Sequence, residues 1–223
     1  MSQPALVVFD LDGTLIDADC AQDWLTFLKN KGWPGAVDAE AKCARIMESY
    51  TSGQMDMQAY MDCWVAPIAG YPVSEIDALA EEFASELVNA KVFVEALSHL
   101  ADCHQRGDIV LLISASPFLV VSPIARLLGI EHAIGIDVAI ENDRYTSQAC
   151  QPFSFGPGKL LRLQQWLLEQ RLSGTPLATM YSDSRNDLPL LYHAQNAIVV
   201  NADPVVAEIA RHRNWQILNW KTV

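Results

Sequence analysis

Hydrophobic residues along this chain fall into two kinds of pattern. Short apolar runs of strand type occur at residues 5–9 (ALVVF), 109–113 (IVLLI), 177–181 (LATMY) and 197–200 (AIVV). Each is followed by a polar, turn-rich piece and then by a helical pattern. Continuous rather than alternating hydrophobicity suggests strands covered on both faces, hence a parallel sheet wrapped by helices. Residues 134–140 and 144–148, separated by ENDR, read as a hairpin added to that scheme. Residues 15 to about 88 behave differently. They carry the helical patterns CAQDWLTFLKNK, AEAKCARIMESY, DMQAYMDCWVAPI and SEIDALAEEFASELV, and no convincing strand. A helical block between the first strand and the resumption of strand–helix alternation reads as an insert. The expected division is an α/β core of residues 1–14 and 89–223 and a helical domain of residues 15–88.

Polar residues become informative where the first run ends. In LVVFDLDGTLIDAD a buried-looking strand runs straight into Asp10 and Asp12, with Asp17 and Asp19 close behind. Carboxylates so crowded repel one another unless a cation or a phosphoryl group uses them. Ligands of open parallel sheets sit beyond the carboxyl ends of the strands, and three more polar clusters have that place. They are SASP with Ser114, FGPGKLLRL with Lys159, and YSDSRNDLPLL with Asp183, Asn186 and Asp187. A carboxylate such as Asp10 can attack phosphorus and form an aspartyl-phosphate. Asp12 can protonate the leaving oxygen and later take a proton from water. Gly13 lets the backbone approach the phosphate. Ser114 and Lys159 can hold the non-bridging oxygens, with Asn186 beside them. Asp183 and Asp187, with Asp10, offer hard oxygen ligands suited to Mg²⁺. Singly, Asp12 is a turn cap and Asp183 a helix cap; FDLDGT after a buried strand is far more specific. The GPGK around Lys159 lacks the spacing and the following Ser or Thr of a P-loop, which excludes that kind of nucleotide site.

Charge narrows the partners. A formal net charge of −12 over 223 residues disfavours nucleic acid and anionic lipid. An acidic protein that handles phosphate must bring its own positive charge, here expected to be Mg²⁺. The five cysteines include no C-x-x-C pair, so they read as reduced thiols of a cytoplasmic protein. The amino terminus lacks the basic region and apolar run of a signal peptide. Residues 109–130, the one membrane-like stretch, contain two prolines, three serines and Arg126, and read as strand, turn and helix.

These motifs, in this order, resemble the haloacid dehalogenase superfamily. DxDGT is its first motif, and the serine, the lysine and the D-x-x-x-D pair are the second, third and fourth. The stretches SDSRNDLPLL, PIARLLGIEHAIGIDVAIENDRYT and VVNADPVVAEIARHRNWQIL resemble the phosphoserine phosphatase-like branch. The resemblance implies a Rossmann-like parallel-sheet core with a small helical cap inserted after the first strand. It implies Asp10 as nucleophile, Asp12 as acid/base, Ser114 and Lys159 as phosphate binders and Asp183 as metal ligand. Asp187 would support Lys159 or the metal site, and the Asp12 carbonyl would complete the coordination. Two features depart from phosphoserine phosphatases: Asp19 stands where a cap glutamate holds the substrate amine, and acidic Asp62 stands near the cap arginine that grips its carboxylate. SASP also replaces the usual glycines of the second motif. These departures count against phosphoserine, not against the chemistry. Asp19, Asp23, Arg45 and Trp64 are the candidate substrate contacts; Met55, Met57 and Met61 read as cap core or pocket wall. The expectation is a Mg²⁺-dependent phosphatase for a small phosphorylated metabolite, without membrane insertion, its oligomeric state open. The rivals are a phosphotransferase or phosphomutase, a dehalogenase (against which DxD argues), and a phospho-Asp signalling receiver.

Overall fold

A computed structural model of the chain describes residues 4–50 and 55–222. In chain order the strands are β1 (Leu6–Phe9), β2 (Ile109–Pro117), β3 (His132–Ile136), the hairpin β4 (Val138–Glu141) and β5 (Arg144–Ala149), then β6 (Leu177–Ser182), β7 (Asn196–Val200) and β8 (Gln216–Leu218). Six of them form one sheet in the order β3-β2-β1-β6-β7-β8, with every neighbouring pair parallel. All four residues of β1 are buried, as a strand covered on both faces requires. The period of two then sorts the two helical layers. Val7, Phe9, Val110 and Leu112 face α5 (Val94–Arg106) and α6 (Phe118–Leu127). Leu6, Val8, Leu111 and Ile113 face α7 (Pro157–Glu169), α8 (Leu188–His193) and α9 (Pro204–Arg213).

The helical block supplies α1 (Cys20–Asn30), α2 (Ala36–Tyr50), α3 (Met57–Val65) and α4 (Val73–Lys91). Trp24, Met61, Trp64 and Ile76 are fully buried among them, with Phe83 nearly so. This apolar cluster is continuous with the α5/α6 face of the sheet. The last helix runs to Lys91, three residues past the boundary read from the sequence, and Val92 then bridges to Ile16, closing the block at its base.

One expectation about strands needs correction, and one strand was not foreseen. Residues 134–136 belong to β3 in the main sheet, so the hairpin is built from residues 138–149. An apolar run beside a hairpin pattern has no period that tells the two apart. The edge strand β8 was not expected; three residues are too few to show a pattern. Asn142 and Asp143, inside ENDR, have φ of 50° and 57°, the paired positive values of a tight hairpin turn. The hairpin braces the helical block: Gly70 N donates to Tyr145 O at 2.7 Å, Val73 N to Asp143 O at 2.9 Å and Tyr145 OH to Asp77 at 2.7 Å. Residues 109–130 form β2 and α6, and no described helix is long and apolar enough to cross a membrane. The five cysteines are free.

Candidate active site

The sheet order reverses between β1 and β6, and the loops that follow these two strands meet there. After β1 the chain coils on itself: Leu11 O accepts from Leu15 N at 2.8 Å, and Gly13 N donates to Ile16 O at 2.9 Å. Gly13 has φ +71°, and a Cβ built on it would lie 2.5 Å from Asp183 Oδ2. Only glycine lets the two loops come this close. Thr14 Oγ1 lies 3.5 Å from Asp10 Oδ2 and 3.4 Å from Asp183 Oδ1, and accepts from Asp183 N at 3.0 Å. One threonine thus pins both carboxylates.

Lys159 enters from the first turn of α7, where Gly156 and Pro157 start the helix. Its ammonium, 3 % exposed, lies 2.7 Å from Asp10 Oδ1 and 2.9 Å from Asp187 Oδ2. It also approaches Asp187 Oδ1 at 2.7 Å, an ion contact without hydrogen-bond geometry. Burial alone would lower the pKa of this lysine, but Asp10 and Asp187 outweigh it and hold the ammonium firmly protonated. Asp187 also accepts from Ser182 Oγ at 2.7 Å. Both of its oxygens are therefore turned to Lys159, one of the two roles, lysine support or metal site, that the resemblance implies for Asp187.

Asp12 is held in a different way. Its Oδ1 accepts from Cys20 N at 2.7 Å, and its Oδ2 from Ser116 Oγ at 2.9 Å and Ser114 Oγ at 3.3 Å. Burial, then the charges of Asp19 and Asp10, push its carboxyl up to about 7. Burial raises Asp10 to about 6, against the pull of Lys159. Asp183 rises to about 8 through burial and the nearby Asp10 and Asp187. The three carboxyls crowd one rim with a single ammonium among them, and a divalent cation would relieve that repulsion. Among the described residues no three His, Cys, Asp or Glu side chains converge as a ready-made metal cage. Mg²⁺ does not need one, because it binds through one or two carboxylates and keeps several waters. Asp10 and Asp183 suit that role.

These groups line a cavity of about 440 Å³ between the sheet rim and the helical block. Asp10, Asp12, Lys159, Asp183 and Asn186 reach it, as does Asp19, which caps α1 through Gln22 N at 3.0 Å. Crowding by surrounding protein raises the Asp19 carboxyl, although it keeps surface open to the cavity mouth. Ser114 is fully buried beneath the cavity, not on its wall; the neighbouring Ala115 and Ser116 line it. Three of the candidate substrate contacts lie elsewhere. Asp23 lines a separate cavity between α1 and α4 with Phe27, Lys31 and Phe83. Arg45 is exposed on α2 and does not line the cavity. Trp64 is fully buried, donates to Ala21 O at 2.9 Å and stacks on Trp24: it is core. The methionines divide, Met55 and Met57 on the cavity wall and Met61 in the core. Thr14 and Ser116 had no role in the sequence reading, and Asp17, read there only among the crowded carboxylates, also lines the cavity. The first two stand inside the quoted DGT and SASP, so their motifs held a signal.

An open parallel sheet whose switch point gathers paired aspartates, a buried lysine and a second acidic loop defines a class of hydrolase. Residues 7–192 match the profile of the haloacid dehalogenase-like hydrolases, and the chain belongs to that family. A Neisseria meningitidis serogroup C protein named histidinol-phosphatase is 32% identical over 97% of this chain and 99% of its own. Phosphoserine phosphatase SerB1 of Mycobacterium tuberculosis is 28% identical, over 97% of this chain and 71% of its own. A crystal structure of a Bordetella pertussis protein of unknown function superposes with TM-score 0.88 at 31% identity, covering 97% of this chain and 99% of that one. The chain is a phosphoric monoester hydrolase, and the signalling-receiver alternative falls away.

Proposed function

We propose that the protein hydrolyses phosphate monoesters of small molecules through an aspartyl-phosphate on Asp10, with Mg²⁺ as cofactor. The observation that carries this reading is the Asp10 carboxylate. It opens on the cavity while a buried ammonium holds one of its oxygens at 2.7 Å, and Asp12 stands two residues on. Lys159 keeps Asp10 ionised and oriented, and offers positive charge to a phosphoryl oxygen. An Asp10 oxygen attacks phosphorus as the bond to the leaving alcohol breaks, and Asp12 gives that alcohol its proton. In the second step Asp12 takes a proton from water, which attacks the phosphorus and releases inorganic phosphate and free Asp10. An Asp12 carboxyl near 7 suits both transfers. Asp10 and Asp183 would hold Mg²⁺, which when bound supplies charge stabilisation for the phosphoryl oxygens. The helical block roofs the cavity and excludes bulk water, which restricts substrates to small molecules.

The test is phosphate release from 4-nitrophenyl phosphate, histidinol phosphate and phosphoserine, the last two taken from the names of the relatives. Asp10→Asn should bring turnover to background with an unchanged circular dichroism spectrum, and EDTA should stop the wild-type enzyme reversibly. Beryllium fluoride with Mg²⁺ should inhibit by occupying Asp10. Full activity in Asp10→Asn would sink the covalent route, and activity in EDTA the metal.

A further inference from the structure

The two oxygens of Asp12 have unequal surroundings. Three side-chain donors converge on Oδ2: Ser116 Oγ at 2.9 Å, Ser114 Oγ at 3.3 Å and Cys20 Sγ at 3.5 Å. Oδ1 accepts from one group among the described residues, the backbone N–H of Cys20 at 2.7 Å. A carboxylate oxygen has about two lone-pair sites. Oδ2 is therefore filled by the protein, while Oδ1 keeps a site open. Asp12 lines the cavity, and a proton on that open site can come and go without displacing any protein donor.

Of the three donors, Ser116 is the one placed to set this asymmetry. It makes the shortest contact, and although buried it reaches the cavity wall. Ser114 stands farther off, and its oxygen is also engaged by Ser116 N at 3.0 Å. The Cys20 thiol is a weak donor. The backbone that carries Ser116 is fixed in its turn. A Cβ built on Gly135 of β3 would lie 2.8 Å from Ser116 O and 2.7 Å from Phe118 Cα, so the two segments meet backbone to backbone. A free aspartate carboxyl turns easily about its last bond, where the rotamer wells are broad. One short, well-anchored hydroxyl removes that freedom.

We infer that Ser116 is a positioning residue for the acid/base: its hydroxyl anchors Asp12 Oδ2 and so presents Oδ1 to the reaction. In the first step the Oδ1 proton passes to the leaving oxygen as its bond to phosphorus breaks. In the second, Oδ1 takes a proton from water as the water oxygen bonds to phosphorus and Asp10 departs. This rests on the phosphatase reading above and adds to it a residue that acts in both steps through Asp12.

Ser116→Ala tests each step separately. For the first, kcat/KM is compared between two kinds of ester. The leaving group of 4-nitrophenyl phosphate departs without a proton, whereas an alkoxide needs one. The alkyl ester is whichever of 3-phenylpropyl phosphate, histidinol phosphate and phosphoserine the wild type hydrolyses fastest. It should lose about tenfold more than the aryl ester, a part of the roughly 10²–10⁴-fold that a positioned acid supplies. For the second step, phosphoenzyme made from 4-nitrophenyl phosphate in a single turnover is trapped by acid quenching. In the variant it should decay about tenfold more slowly. Equal losses on the two esters, or no loss on either, would make Ser116 a phosphoryl contact or a merely structural residue and overturn the inference. A selective loss of the alkyl ester with unchanged phosphoenzyme decay would put Ser116 on the leaving oxygen itself, which also overturns it. A wild type that hydrolyses none of these esters, or forms no phosphoenzyme, would instead bring down the phosphatase reading, and this inference with it.

Discussion

Gly13→Ala is a small change with a large expected effect, and its two causes can be separated. The first is conformational: φ at this residue is +71°, where a side chain costs about 1–3 kcal/mol. The second is steric. The new Cβ would stand 2.5 Å from Asp183 Oδ2 and 2.8 Å from its Cγ, where ordinary contact begins near 3.4 Å. Asp183 or the turn must therefore shift by about 1 Å, and a misplacement of that size costs about 10²-fold in rate. The expected variant is folded, melts roughly 3–10 °C lower, and loses about two decades of kcat with a raised Mg²⁺ requirement. Thermal denaturation in EDTA then isolates the steric part without reference to activity. In an Asp183→Ala background the nearest remaining neighbour is Cβ at 3.4 Å, so Gly13→Ala should cost only its conformational share. Equal losses of stability in both backgrounds, or activity within threefold of wild type, would refute the close approach of these loops.

Three other outcomes follow from the geometry. Lys159→Met leaves Asp10 and Asp187 buried without their cation and should destabilise the fold by about 3–5 kcal/mol in urea; a loss under 1 kcal/mol would contradict the buried triad. Asp10, Asp12 and Asp183 titrate higher in the folded chain (about 6, 7 and 8) than the ordinary 3.8. Their contribution to metal-free stability is thus full below about pH 4 and is lost as pH rises through about 6–8. In EDTA the balance of stability should shift toward Asp183→Asn, relative to wild type, across that window, and a gap independent of pH would contradict it. Trp64→Phe gives up the indole bond to Ala21 and some volume, at about 1–3 kcal/mol. Its KM should equal that of wild type, and a changed KM would return Trp64 to the cavity wall.

Much of this molecule was legible before folding. The apolar runs at 5–9, 109–113, 177–181 and 197–200 are strands of one parallel sheet, because a strand buried on both faces has no room for polar residues. The helical patterns of residues 20–31 and 74–88 are helices, their ends within a few residues of the expected ones. A chain that ends such strands in carboxylates, a serine and a lysine also announces which rim holds the chemistry. Facing and partnership were not legible. Met57, Tyr60, Met61 and Trp64 form one stripe on α3, and the sequence treats them alike. All four are buried, but Trp64 is locked against α1 and Met61 is closed off completely, while Met57 and Tyr60 also line the cavity. Asp183 and Asp187 are equivalent acids four residues apart until Lys159 arrives from a helix 28 residues earlier and claims the second. Local patterning determines where the chain is straight, coiled or charged, because those preferences act between near neighbours. Which charge meets which is settled by contacts across 149 residues, as between Asp10 and Lys159, and these exist only once the sheet has closed.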